Sequence, residues 1–164
     1  MALSIDNMPR ELEQDDGFRA MAYGDLQQVL DIEQSAYSHP WTIGIFRDCI
    51  RVGYDCWVYM QGDRIAGYGI LMLAAGEAHI LNICVAPTCQ GRGLGRRILR
   101  FLLRQCARQN IDMVILEVRR SNTLAARLYQ SEGFHELGVR KDYYPADNGR
   151  EDAIIFARYI QPEA

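Results

Sequence analysis

Apolar and polar residues repeat with two different periods along this chain, and each change of period marks an element. FRAMAY at 18–23 reads as a first strand. GDLQQVLDIEQSAY then places Leu26, Val29, Leu30 and Ile32 or Glu33 at helical spacing. His39-Pro40-Trp41-Thr42 breaks that helix, and Thr42 caps a second one carrying Ile45, Phe46, Cys49 and Ile50. YDCWVYM (54–60) and IAGYGILMLA (65–74) read as strands joined by the turn QGDR. Gly67 and Gly69 inside the second of these predict a bulge or close packing. AHILNICVA (78–86) is a further strand, ended by Pro87.

A glycine-rich loop follows, then a helix predicted over 93–109 with Leu94, Ile98, Leu99, Leu102, Leu103 and Cys106 on its apolar face. MVILEV (113–118) is almost continuously apolar, as a strand buried on both faces would be. Asn122 caps a helix through Leu124, Ala125, Leu128 and Tyr129, and Gly133 ends it. HELGVRKDYY and EDAIIFARYI, joined by PADNGR, are the last strands. The order β-α-α-β-β-β-α-β-α-β-β predicts a mixed α/β domain, not a repeated βαβ array. With no repeat and no internal linker, residues 18–164 read as one domain, and the polar, acidic residues 1–17 as an extension.

Composition narrows the function classes. A net charge of −3 gives no global drive toward nucleic acid. No apolar run approaches the roughly 18 residues of a membrane span, and the N-terminus lacks a secretory signal pattern. The 5 cysteines are odd in number and contain no C-x-x-C pair, and the 3 histidines are scattered. That argues against a disulfide framework and a metal site, and for reduced thiols in a cytoplasmic protein. Most of these thiols read as small buried hydrophobes, with a nucleophilic Cys84 or Cys89 as the minority reading.

The loop CQGRGLGR (89–96) carries the chemistry. A Walker loop requires a lysine after the last glycine, and none follows. A dinucleotide fingerprint requires G-x-G-x-x-G, and the spacing from Gly91 is one residue short. The pattern Gln90-x-x-Gly93-x-Gly95 at a helix start fits a pyrophosphate cradle, because unpaired N–H groups and the helix dipole favour an anion there. Arg92, Arg96 and Arg97 oppose that dipole unless an anion binds; the alternative is a tight turn with solvated arginines. Arg96, Arg100, Arg104 and Arg108 recur every four residues, and the last three read as a solvated face.

VAPTCQGRGLGRRIL resembles motif A of the GNAT superfamily, the acetyl-coenzyme-A-dependent N-acetyltransferases. HPWT (39–42), LEVRRSNTLAARLYQSEGF (116–134) and RKDYYPADNGREDAIIFAR (140–158) are similar to the branch that acetylates the N-terminal alanine of a small-subunit ribosomal protein. The resemblance spans residues 20 to 160. It implies a central, mostly antiparallel mixed sheet flanked by helices. It implies acetyl-coenzyme A as cosubstrate without a metal, and a ribosomal-protein N-terminus as the partner. Direct contact with nucleic acid or membrane is not expected, and the chain is expected to be a monomer or weak dimer.

The resemblance also assigns residues. The backbone of Ile83, Cys84 and Val85 pairs with the pantetheine arm. Gln90 and the amides of Gly91, Arg92, Gly93, Leu94, Gly95 and Arg96 hold the pyrophosphate, with Gly91 and Arg92 at positions the family varies. Asn122 contacts the cofactor, Glu117 is the general base and Tyr129 the general acid. Tyr143, Tyr144 and Pro145 lie on the substrate side, and Glu77, Asp142 or Asp152 would meet basic side chains there.

The chemistry agrees with these residue types. An α-amine has a pKa of about 8, so a useful fraction is already neutral and the demand on a base is moderate. A departing thiolate leaves more readily when given a proton. An apolar strand around Glu117 would desolvate its carboxylate. Taken singly, each residue also has a plainer reading: Glu117 paired with Arg119 or Arg120, Tyr129 in the core, and 143–145 a strand-end turn. Competing functions are a lysine or small-amine acetyltransferase and a non-catalytic acetyl-coenzyme-A-binding module.

Overall fold

A computed structural model describes residues 15–160, so most of the predicted extension lies outside the described residues. Residues 15–17 are anchored to the domain: Asp15 pairs with Arg104 at 2.8 Å and with Arg108 at 2.7 Å.

The elements follow the predicted order. Strand β1 (Phe18–Ala20) leads through a 3-10 turn into helices α1 (Leu26–Ala36) and α2 (Ile43–Arg51). Strands β2 (Asp55–Gln61), β3 (Arg64–Ala74) and β4 (Glu77–Val85) come next. They are followed by α3 (Leu94–Arg108), β5 (Met113–Arg119), α4 (Thr123–Ser131), β6 (His135–Ala146) and β7 (Gly149–Tyr159). Both predicted caps form: Thr42 Oγ1 accepts from the Ile45 amide at 3.3 Å, and Asn122 Oδ1 accepts from the Ala125 amide at 3.2 Å. Gly133 follows α4 with a φ of +88°, the left-handed geometry that ends helices.

The seven strands form one sheet in the order β1-β2-β3-β4-β5-β7-β6, in which the β4–β5 pair is parallel and the others antiparallel. One face packs on α3 through Ile98, Leu99, Leu102 and Cys106, together with Val114, Leu116 and Val118 of β5. The other packs on α1 and α2 through Val29, Phe46, Val58, Tyr68, Ile70 and Cys84. Gly67 and Gly69 let α3 approach closely: a Cβ on Gly67 would stand 2.7 Å from Ile98 Cδ1, and one on Gly69 2.8 Å from Leu102 Cδ1.

The stripe on α3 is solvated at Arg100 and Arg108, but its arginines are paired. Glu132 binds Arg96 and, at 3.0 Å, Arg100, while Asp15 takes Arg104 and Arg108. Both carboxylates lie far away in sequence, so helical spacing alone does not reveal them.

An irregularity in β4 opens the site. Ile80 pairs with Leu71 and Asn82 with Ile70, so Leu81 is an extra residue. The parity of the strand flips there: Ala78 and Ile80 pack toward α3 before the bulge, and Ile83 and Val85 after it. Pairing with β5 runs only from Glu77–Met113 to Ile80–Leu116. Beyond that point the two parallel strands part.

Candidate active site

The parting strands open into a cleft of 630 Å³. Glu33, Tyr37, Ser38, His39 and Trp41 line one wall, from α1 and the following loop. Leu81, Asn82 and Ile83 line the β4 side. Glu117, Arg119, Asn122, Tyr129, Tyr144 and Pro145 complete it from β5, α4 and β6. Of the residues that the sequence points to for chemistry, the cleft brings together Ile83, Glu117, Asn122, Tyr129, Tyr144 and Pro145, while Cys84, Val85, the loop from Gln90 to Arg96, and Tyr143 do not line it.

Glu117 alternates with Leu116 and Val118, so its side chain leaves the α3 face for the opposite one. The side chain is 8% exposed, and Arg140 Nε stands 3.3 Å from Oε1. His79 Nε2 is 4.0 Å from the same oxygen. Burial holds the His79 imidazole below its usual value, against the pull of Glu117. Arg119 and Arg120, the partners suggested by sequence proximity, instead pair with Glu151 at 3.2 Å and Asp152 at 3.5 Å.

Tyr129 comes from α4 on the α3 side of the sheet, packed edge-on against Phe134 with centroids 5.8 Å apart. It both packs on the core and lines the cleft. Burial pushes its phenol up to about 12, so the hydroxyl keeps its proton at neutral pH.

The glycine loop is built for close approach. Gly91 and Gly93 have φ of +78° and +76°, and no heavy atom lies within 4 Å of where a Cβ would stand on either. The positive φ at Gly91 gives it a definite backbone role. Gly93 precedes α3, whose first-turn amides have no intrahelical partner. An acyl carrier with a pyrophosphate and an amide-containing arm fits this loop and the adjoining β4 edge. Arg96 contributes no side chain there: Nη1 bonds Ser131 Oγ at 2.8 Å and pairs with Glu132. Arg97 lies over the Tyr59 ring at 5.0 Å. The acidic Glu132 thus gives Arg96 a partner in the first turn.

Tyr144 lines the cleft under the Arg119 guanidinium, 4.5 Å from its centroid, and Tyr143 sits beneath Arg140 at 5.4 Å. Burial raises the phenols of both, and the nearby Glu117 charge adds to it. Glu77, at the start of β4, is exposed and does not line the cleft. Asp152 is engaged by Arg120 and by the Asp142 amide at 3.0 Å.

One cluster goes beyond the sequence reading. Glu33 is 2% exposed and accepts from Tyr68 Oη, from Asn82 Nδ2 at 3.1 and 3.2 Å, and from the Trp41 amide at 3.4 Å. It ties α1, the HPW loop, β3 and the bulge of β4 together. The signal available in sequence is a carboxylate in the buried register of an amphipathic helix, where charge needs partners.

The acetyltransferase (GNAT) family model matches residues 26–134. A [ribosomal protein bS18]-alanine N-acetyltransferase of Escherichia coli strain K12 is 38% identical over 133 residues, covering 81% of this chain and 90% of that protein. The protein of the same description from Haemophilus ducreyi is 36% identical over 137 residues, 83% of this chain and 94% of its own length. The crystal structure of the Escherichia coli ribosomal-protein-S18-alanine N-acetyltransferase superposes with a TM-score of 0.84 at 35% identity, covering 90% of this chain and 95% of that one.

Proposed function

Since this chain belongs to the GNAT family and is an N-acetyltransferase, we propose that it transfers acetyl from acetyl-coenzyme A to the N-terminal α-amino group of ribosomal protein bS18, with alanine as the acceptor residue. The observation that carries this reading is the meeting of Glu117 and Tyr129 in one cleft at the point where β4 and β5 part. The similarity to alanine N-acetyltransferases over more than four fifths of the chain supports the choice of acceptor.

The thioester supplies the acetyl group. Gly91, Gly93 and the first amides of α3 hold the pyrophosphate, and the free edge of β4 at Ile83 and Val85 holds the arm. Glu117 takes the proton from the attacking amine, directly or through a water. Arg140 Nε stands 3.3 Å from Oε1 of that carboxylate and helps to fix its position. Tyr129 gives its proton to the departing sulfur and regains one from solvent. Tyr144 and the loop around Trp41 bound the acceptor side, so the substrate N-terminus enters between α1 and the β6–β7 hairpin. Holding amine and thioester together supplies much of the rate, and moderate acid–base help suffices.

A ribosomal substrate places the reaction in the cytoplasm, and no described helix is long and apolar enough to cross a membrane. The test is thiol release from acetyl-coenzyme A with two peptides: one with a free N-terminal alanine, and the same sequence N-blocked but carrying a free lysine. Release with the first alone supports the reading. Equal rates with both would move the activity to lysines, and release with neither would leave a binding module.

A further inference from the structure

The splayed half of β4 presents a one-sided edge. The Ala86 amide donates to the Ala66 carbonyl at 2.8 Å, so residues 84 and 86 turn their backbone groups toward β3. Ile83 and Val85 therefore turn theirs toward β5, which no longer reaches them. Yet both outward carbonyls have donors. The Tyr37 hydroxyl donates to the Ile83 carbonyl at 2.8 Å, and Gln90 Nε2 donates to the Val85 carbonyl at 3.2 Å. The two donors come from opposite ends of the site, the C-terminus of α1 and the glycine loop. The N–H groups of Ile83 and Val85 face the same gap, and each carbonyl oxygen, with two lone pairs and one donor, can still accept a second hydrogen bond.

We propose that Tyr37 and Gln90 are positioning residues that brace this edge from its two ends and fix its register. The amide-containing arm of the acyl carrier then meets a strand whose backbone groups are held in place. Without these two bonds the splayed end of β4, which β5 no longer supports, would be free to shift, and the arm's register with it. Gln90, whose side chain would by its place in the loop be expected to face a phosphate, acts instead through the strand. The inference rests on the acetyl-transfer reading above and adds to it a residue, Tyr37, and a route of action for Gln90.

The experiment compares Tyr37→Phe and Gln90→Ala with the wild type, using acetyl-coenzyme A and S-acetylpantetheine, which has the arm but no pyrophosphate or nucleotide. The acceptor is the alanine-starting peptide. Each variant should lose about 3- to 10-fold in kcat/KM, one hydrogen bond's worth. The loss should be the same factor for both thioesters, with the peptide KM unchanged. A loss confined to acetyl-coenzyme A would assign Gln90 to the phosphates and overturn the proposal. So would no loss with either thioester, or a peptide KM that rises in step, which marks general distortion of the cleft. A wild type that turns over neither thioester would sink the acetyl-transfer reading itself, and this inference with it.

Discussion

Glu117 and Tyr129 reach one cleft from opposite faces of the sheet. Glu117 leaves β5 on the face away from α3, while Tyr129 descends from α4 on the α3 side. A paired β4–β5 ladder would keep them apart. The extra residue at Leu81 ends that ladder and lets both line the same space.

Replacing Tyr129 with Phe removes the proton for the leaving sulfur and little of the packing. We expect kcat to fall about 100-fold or more, with the KM for acetyl-coenzyme A nearly unchanged. Because burial pushes the phenol up to about 12, wild-type kcat should show no tyrosine-dependent decline up to roughly pH 10. A pH–rate profile of the two enzymes checks both points.

Glu117→Gln keeps the shape and removes the proton acceptor. The expected loss in kcat is also about 100-fold at neutral pH. Its signature is partial recovery at alkaline pH, where more of the amine is already neutral. Rates measured at two pH values decide this.

Gly67→Ala places a methyl 2.7 Å from the backbone oxygen of Cys84, which cannot move aside as a flexible side chain would. The domain should lose about 2–3 kcal/mol of stability. Gly93→Ala meets open space but keeps a φ of +76°, costing about 1 kcal/mol of backbone strain. Only the second should also raise the KM for acetyl-coenzyme A. Urea unfolding and steady-state kinetics separate the two effects.

Glu33→Ala strands the Tyr68 hydroxyl, the Asn82 amide and the Trp41 N–H together. We expect a loss of about 2–3 kcal/mol in urea unfolding. Glu33→Gln, which still accepts hydrogen bonds, should lose less.

His79 supplies a pH signature in stability. Burial holds its folded value below the ordinary 6.5. The unfolded chain therefore takes up this proton first as pH falls, and the native state lags. Its stabilising contribution is present above about pH 6.5 and is lost as pH drops from there toward the lower folded value. A His79→Asn variant should show a shallower fall in unfolding free energy between roughly pH 6.5 and 5. The carboxylates that Arg19, Arg100 and Arg119 help to hold low (Asp25, Glu132 and Glu151) titrate at more acid pH than this window.

The elements were legible because each is amphipathic over its own length, as α3 shows with Ile98, Leu99, Leu102 and Cys106 on one side. Thr42 and Asn122 were legible as caps because a cap acts within three residues. The bulge was not: Leu81 looks like any other apolar strand residue, and its effect appears only when β3 and β5 are both in place. Contacts across the chain were equally hidden. Glu33 meets Asn82 49 residues away, and Arg100 meets Glu132 32 residues away, so the first read as an ambiguous helix position and the second as part of a solvated face. The chemistry-bearing residues could be named one by one, but their meeting in one cleft depends on the parting of β4 and β5.

Mass spectrometry of ribosomal protein bS18 incubated with acetyl-coenzyme A and this chain tests the central claim most directly. The account predicts a single acetyl group on the N-terminal alanine in the presence of the wild type, and none with Tyr129→Phe over the same interval. An unmodified N-terminus with the wild type, or acetyl groups found only on lysines, would contradict it.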